Sequence, residues 1–230
     1  MASRGKKNAV ELNGILLTHR NFSDSHRIVE VLTAEEGRVS LLARGARASK
    51  KRFAGALDLF VSLRMQVSTG GNLWSLLSAD IVNPRLGVRA DLDAVLRASL
   101  LVELARTLAA ENQPAPDLLS VLAEALDRVA DGELASAAAA FPAMLSAAGM
   151  LPDVEVCVQC GERSCGGRVY DLGFVCERCR PGRRPISSEA RAVWAGTPCV
   201  SNAVADEVEA SVLDYAEEYL GARFRSRLKL

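Results

Sequence analysis

Four cysteines in two matched pairs, Cys157-x2-Cys160-x15-Cys176-x2-Cys179, carry the clearest chemistry in this sequence. Each pair offers two sulfurs from one tight turn, and an intervening hairpin brings the turns together, the spacing of a four-thiolate zinc site. Gly161, Gly166 and Gly167 relieve backbone crowding in such turns, and Arg163, Arg168, Arg178 and Arg180 offset the negative charge that four thiolates leave on the ion. With all four positions filled by protein there is no place for an activated water, so the expected metal is structural. Cys165 and Cys199 are left over: the first is a substitute ligand only if a pair is misassigned, and the second reads as a small buried residue.

The second feature is electrostatic. Between Arg38 and Arg52 the cations Arg38, Arg44, Arg47, Lys50, Lys51 and Arg52 occur without one carboxylate. The whole chain balances at 28 basic and 28 acidic side chains, but residues 1–80 carry 12 against 7, residues 81–156 carry 5 against 11, and residues 157–230 carry 11 against 10. The basic stretch is therefore a local anion-attracting field that whole-chain charge conceals. A solvated loop is the bland reading. On a small β-barrel the same cations suit a groove that tracks phosphates, with steep salt dependence and little sequence preference. Phe22, Phe53, Phe60 and Trp74 are candidates for base stacking, or for core. At the other end, Asp206, Glu207, Glu209, Asp214, Glu217 and Glu218 precede Arg223, Arg225, Arg227 and Lys229, an order that complements a helix macrodipole.

Enzymatic readings lack their motifs: there is no Gly-x4-Gly-Lys-Ser/Thr phosphate loop, dinucleotide glycine fingerprint, nucleophile elbow or His-Glu-x2-His. His19 and His26 have no nucleophile in a recognisable context and read as surface or strand-edge residues. No apolar run approaches the ~18 residues of a membrane span, and no signal-peptide core follows the basic start, so a cytoplasmic protein is expected.

These features must be positioned by elements of different period. From Glu11 to Ile81, short Val/Ile/Leu-rich runs predict five strands, near Leu12–Thr18, Ile28–Thr33, Val39–Ala43, Leu57–Ser68 and Leu73–Ile81. Turns at Glu36-Gly37 and Gly70-Gly71 suit hairpins. Five strands fit a small closed barrel of OB or SH3-like type. After Asn83-Pro84 the spacing becomes helical: a helix from Leu92 to Leu108 buried on most sides, a second with one apolar face after Pro116, and an Ala-rich run from Glu133 to Ala148. Two more helical stretches, Ser188–Ala195 and Val204–Leu220, follow the cysteines, and the last is expected to pack back on the central ones.

Gly14-Ile15-Leu16-Leu17, Phe22-Ser23-Asp24-Ser25-His26-Arg27-Ile28, Thr33-Ala34-Glu35-Glu36-Gly37-Arg38-Val39, Ala43-Arg44-Gly45-Ala46-Arg47, Arg52-Phe53-Ala54-Gly55-Ala56-Leu57 and Leu73-Trp74-Ser75-Leu76 resemble the N-terminal OB domain of the bacterial recombination mediator family RecO. The helical middle, the cysteine module, Tyr219-Leu220-Gly221 and Ser226-Arg227 are similar to that family in order and kind, so the resemblance spans nearly the whole chain. It implies an α+β multidomain protein: a five-stranded OB-fold β-barrel at 1–80, an α-helical domain at 81–149 with 187–230, and an inserted four-cysteine zinc module at 150–186. It also implies a non-catalytic function: binding of single- and double-stranded DNA, strand annealing and, with RecR, loading of RecA onto DNA coated by single-stranded-DNA-binding protein. Carried to matching positions, Arg38, Arg44 and Arg47 face DNA and Lys50, Lys51 and Arg52 extend the path. Arg180, Arg183, Arg184, Arg223, Arg225 and Arg227 are further candidates. The helical domain would take the acidic tail of the single-strand-binding protein, with Arg85, Arg89, Arg97, Arg106 and Arg128 as its nearby cations. From residues alone the rival is a zinc-stabilised adaptor whose barrel binds a peptide or RNA.

Overall fold

A computed structural model describes residues 9–48, 53, 55–70, 73–163, 166–170, 173–181 and 185–229. The chain forms two compact units, Met1–Arg85 with Ala109–Ala123, and Leu86–Leu108 with Glu124–Leu230.

The first unit is a closed barrel of β1 (Ala9–Asn21), β2 (Arg27–Thr33), β3 (Gly37–Ala43), β4 (Ser62–Ser68) and β5 (Trp74–Asn83) in the order β1-β2-β3-β5-β4. The long β1 is shared, its first half pairing with β4 from Ala9 to Ile15 and its second with β2 from Gly14 to Asn21. A parallel pairing of Leu41–Ala43 in β3 with Trp74–Leu76 in β5 closes the cylinder, which decides for the OB topology. Closure needs a close approach at Gly14, where a Cβ would stand 2.3 Å from the Leu32 carbonyl oxygen. The β2–β3 hairpin turns at Gly37 (φ +57°), under a backbone whose Gln113 oxygen would lie 1.9 Å from any Cβ there. Thr33 braces the turn, donating from Oγ1 to the Gly37 oxygen and accepting from the Glu36 N–H.

The fourth strand starts at Ser62, five residues later than its alternating pattern predicts. Leu57, Phe60 and Val61 are buried, but in a turn: Phe60 sits at φ +71°, its N–H donating to the Leu16 oxygen while Leu16 N–H donates to the Val61 oxygen. Phe53, Ala56 and Leu57 join Leu16, Val29, Leu41, Met65 and Val67 in the barrel core, so apolar alternation here records a plug and not a strand. Arg85 secures that turn. It is 5% exposed, at φ +45°, and its guanidinium donates to the Phe60 oxygen, Ser62 Oγ and the Ala123 oxygen.

The second unit holds α1 (Leu92–Leu108), the C-terminal part of α2 (Pro116–Ala130), α3 (Leu134–Ala137), α4 (Ala140–Ala147), the hairpin β6 (Gly167–Tyr170) and β7 (Gly173–Cys176), α5 (Ser188–Trp194) and α6 (Asn202–Leu220). Asp91 caps α1 through the Ala94 N–H, and Leu96, Ala98, Leu100, Leu101, Val102, Leu104 and Ala105 bury its circumference. The Ala-rich run is two helices because Pro142 has no N–H to donate to the Ala138 oxygen; Phe141 N–H reaches that oxygen instead and the helix restarts. Ser187 and Ser201 cap α5 and α6. The last helix packs on α3, α4 and α5. Trp194 meets Tyr215 edge-on at 5.9 Å and donates to Ser211 Oγ, and Tyr215 donates to the Met150 oxygen. No helix among the described residues is long and apolar enough to cross a membrane.

Candidate metal centre and nucleic-acid interface

The hairpin β6–β7 brings the two cysteine pairs together. Register Gly167↔Cys176 places Cys176 at the end of β7, and the strand needs Gly167 because a Cβ there would lie 2.3 Å from the Val175 oxygen. The chain before the first pair runs alongside β7, with Phe174 N–H donating to the Asp153 oxygen and Val158 N–H to the Phe174 oxygen. The first turn closes through Gly161 N–H to the Cys157 oxygen, and the second through Cys179 and Arg180 N–H to the Cys176 oxygen. The four sulfurs consequently lie within 4.8 Å of one another, with Cys160 and Cys176 at 3.7 Å. A tetrahedron with Zn–S bonds of about 2.3 Å has an edge of about 3.8 Å, so the cluster has the size of a four-thiolate zinc site.

The thiols are not equivalent. The Cys176 N–H donated to the Cys157 sulfur at 3.3 Å holds Cys157 down to about 6, whereas hydrogen bonds with the Cys176 and Cys160 sulfurs push Cys179 up to about 12, and sharing with Cys157 raises Cys160. A metal must therefore displace protons from the group, and its affinity rises with pH. Zinc titration from pH 8 to pH 6 should show falling affinity with proton release at each step; pH-independent binding would remove the thiols from the ligand set.

Each cation credited above with offsetting the sulfurs has its own partner. Arg163 pairs with Glu155, Arg178 with Glu162 and Arg168 with Asp214, while Arg180 lies 4.2 Å over the Tyr170 ring. Arg191 of α5, which spacing did not single out, holds the module in place: it stacks 4.1 Å over Phe174 and donates to the Val154 and Glu155 oxygens. Cys165, Arg183 and Arg184 lie outside the described residues; Cys199 is buried.

At the barrel, the sequence window around Arg38 contains no acid, but the fold supplies two. Arg38 pairs with Glu111 at 3.2 Å and Glu30 at 3.7 Å, and its Nε donates to the Ala109 oxygen, so it ties segment 109–112 to β3. Arg44 and Arg47 follow β3 and are exposed. Arg44 has no ion-pair partner among the described residues; Arg47 donates through Nη1 to the Ser23 oxygen at 2.8 Å and through its N–H to the Ser25 oxygen at 3.1 Å. Gly45 N–H donates to Nδ1 of His26, which gives that histidine a positioning role. Lys50, Lys51 and Arg52 lie outside the described residues. His19 and Arg27 share the interior face at one end of the barrel, where His19 Nδ1 and Arg27 Nε are buried without a hydrogen-bond partner among the described residues. Burial first, then the Arg27 charge, lowers the His19 pKa and keeps the ring neutral.

In the helical unit the acids of α6 are counter-charges more than dipole complements. Arg97 donates to Glu209 at 3.1 Å, to Asp206 at 2.7 Å and to the Leu134 oxygen, and Arg227 reaches Asp214 and Glu217. Arg85 and Arg97 are thus committed inside the fold, and Arg227 is held by two carboxylates; Arg223 and Arg225 are exposed.

Comparison with known proteins places these features in context. A family model described as Recombination protein O N terminal matches residues 8–85, and one described as Recombination protein O C terminal matches residues 89–228. The chain is similar to the DNA repair protein RecO of Anaeromyxobacter sp. (strain K), 39% identical over 181 residues that cover 75% of this chain and 71% of the relative. It is similar over greater lengths to those of Anaeromyxobacter sp. (strain Fw109-5), 32% identical with 95% and 94% covered, and Bacillus velezensis, 28% identical with 93% and 91% covered.

Proposed function

Because the chain belongs to the RecO family of DNA repair and recombination proteins, we propose that it is a non-catalytic mediator that binds single- and double-stranded DNA and anneals complementary strands. With RecR it helps load RecA onto DNA coated by single-stranded-DNA-binding protein, whose acidic tail docks on the helical domain. It works in the cytoplasm, at the nucleoid. The barrel at 1–80 is the DNA-binding part, the residues 81–149 with 187–230 are the docking body, and the module at 150–186 holds one structural zinc through Cys157, Cys160, Cys176 and Cys179. The zinc stabilises the fold of that module and supplies no reactive position.

The observation that carries this reading is the closed barrel with Arg44 and Arg47 exposed where β3 ends. Cations at that place displace counterions from the backbone of any nucleic acid, single or double. Annealing then needs no hydrolysis, since duplex formation supplies the free energy and the protein only lowers phosphate repulsion. Lys50, Lys51 and Arg52 continue the basic run, Arg38 contributes to the field while anchored to its acids, and Arg180, Arg223 and Arg225 are secondary phosphate contacts, joined by Arg183, Arg184 and Arg227.

Fluorescence anisotropy with unrelated single-stranded oligonucleotides and their duplexes, at several salt concentrations, tests the proposal. Binding of all of them is expected, with affinity falling steeply as salt rises. Arg44→Ala with Arg47→Ala should weaken every sequence alike and reduce the single-strand salt slope by about 1.4, roughly 0.7 for each phosphate no longer neutralised. No binding at low salt would leave the barrel as an adaptor for peptide or RNA.

A further inference from the structure

The barrel has four aromatic side chains able to stack on a base, and burial separates them. Phe53 and Phe60 are 5% exposed and belong to the plug and its turn, and Trp74 is half-buried against the barrel core. Phe22 is 55% exposed. It is the first residue of the β1–β2 turn, flanked by exposed Asn21, Ser23 and Asp24, so it is an isolated ring among polar groups and not part of an apolar protein-docking patch.

The backbone that presents this ring is fixed at several points. Phe22 N–H donates to the His26 oxygen at 3.1 Å and closes the turn on itself. The turn is then stitched to the loop after β3: Arg47 donates from Nη1 to the Ser23 oxygen and from its N–H to the Ser25 oxygen, and Gly45 donates to His26 Nδ1. The Arg47 guanidinium is therefore bonded to the residue next to Phe22, and Arg44 is exposed on the same loop. A fixed aromatic face beside cations is the arrangement that holds an unpaired base and its phosphate together, and a pre-organised turn loses little entropy in doing so.

We propose that Phe22 is a stacking platform for an unpaired base, held beside Arg47 by the β1–β2 turn, and that it makes the barrel prefer single-stranded to duplex nucleic acid. This rests on the DNA-binding reading above. A duplex keeps its bases stacked on each other and offers Phe22 no free face, while the cations serve both substrates equally.

The test is the ratio of single-strand to duplex affinity for the full chain and its Phe22→Ala and Phe22→Trp variants. Phe22→Ala should weaken binding of a mixed-sequence single strand by about tenfold and duplex binding far less, with the salt slope unchanged because no charge is removed. Phe22→Trp should keep the preference, and its added fluorescence should be quenched by single strands and not by duplex. Equal single-strand affinity in the wild type and Phe22→Ala, or equal losses on both substrates, overturns the stacking role. Failure of the wild type to bind either substrate at low salt is a different result, which removes the DNA-binding reading and this inference with it.

Discussion

Cys157→Ser should empty the proposed zinc site: zinc content, measured by atomic emission on the purified protein, is expected to fall from about one per chain to near zero, and the 150–186 module to lose its order. A four-thiolate site stabilises small modules by on the order of 10 kcal/mol. This hairpin has little else to replace that. β6 and β7 are four residues each, and two-stranded hairpins are marginal alone. Phe174 and Val175 are buried, and Arg191 grips the Val154 and Glu155 oxygens, so the damage should reach α5 through that arginine. Hydrogen exchange should report it as loss of protection at Val158, Phe174 and Cys176, with the barrel strands unaffected. The serine is nearly isosteric but keeps its proton at neutral pH, so it isolates the loss of the thiolate. Full zinc occupancy with unchanged melting would take Cys157 out of the ligand set.

Arg97→Ala should cost about 3–5 kcal/mol in urea unfolding, the cost of leaving a buried carboxylate unpaired. Arg97 joins α1 to α6: its Nε faces Glu209, which is 5% exposed, and its Nη1 donates to the Leu134 oxygen. Burial already outweighs this partner, for the Glu209 pKa is raised despite Arg97 beside it. A carboxyl whose folded value lies above its unfolded one binds its proton more tightly when folded. Its charge therefore costs stability as pH rises through that interval, and protonation recovers it. The penalty of Arg97→Ala should consequently shrink between pH 7 and pH 5. Glu209→Gln keeps an acceptor for Nε and removes the buried charge while Asp206 still faces the Arg97 guanidinium, so it should cost clearly less than Arg97→Ala. A loss for Arg97→Ala that is small, or the same at both pH values, would show that Glu209 is not held as a buried ion.

The clustering of the four cysteines was legible in the sequence because they come from two four-residue turns, and a turn's geometry is a property of its own residues. The five strands were legible from period and turn residues, but β1 runs three residues past the expected Leu12–Thr18 at each end, and Leu57–Val61 is not strand. There, the period-2 spacing of Leu57, Leu59 and Val61 reads as a strand, but the turn buries the neighbours Phe60 and Val61 together, with Phe60 left-handed and the Arg85 guanidinium on its oxygen. The stretch from Arg38 to Arg52 looked uniform, and the fold divided it. Arg38 is paired with Glu30 on the adjacent strand β2 and, through a segment some seventy residues later, with Glu111, while Arg44 and Arg47 are exposed.

By itself the sequence determined what short range controls: five strands, the helical stretches and the four-cysteine cluster, because period and turn chemistry act within one or two turns of chain. Tertiary structure alone decided the closing β3–β5 pair, the buried Arg97–Glu209 bond between residues more than a hundred apart, and which aromatic is left in water. Burial and counter-charge are set by neighbours distant in the chain, and desolvation gives the same arginine or phenylalanine opposite roles on the two sides of a surface.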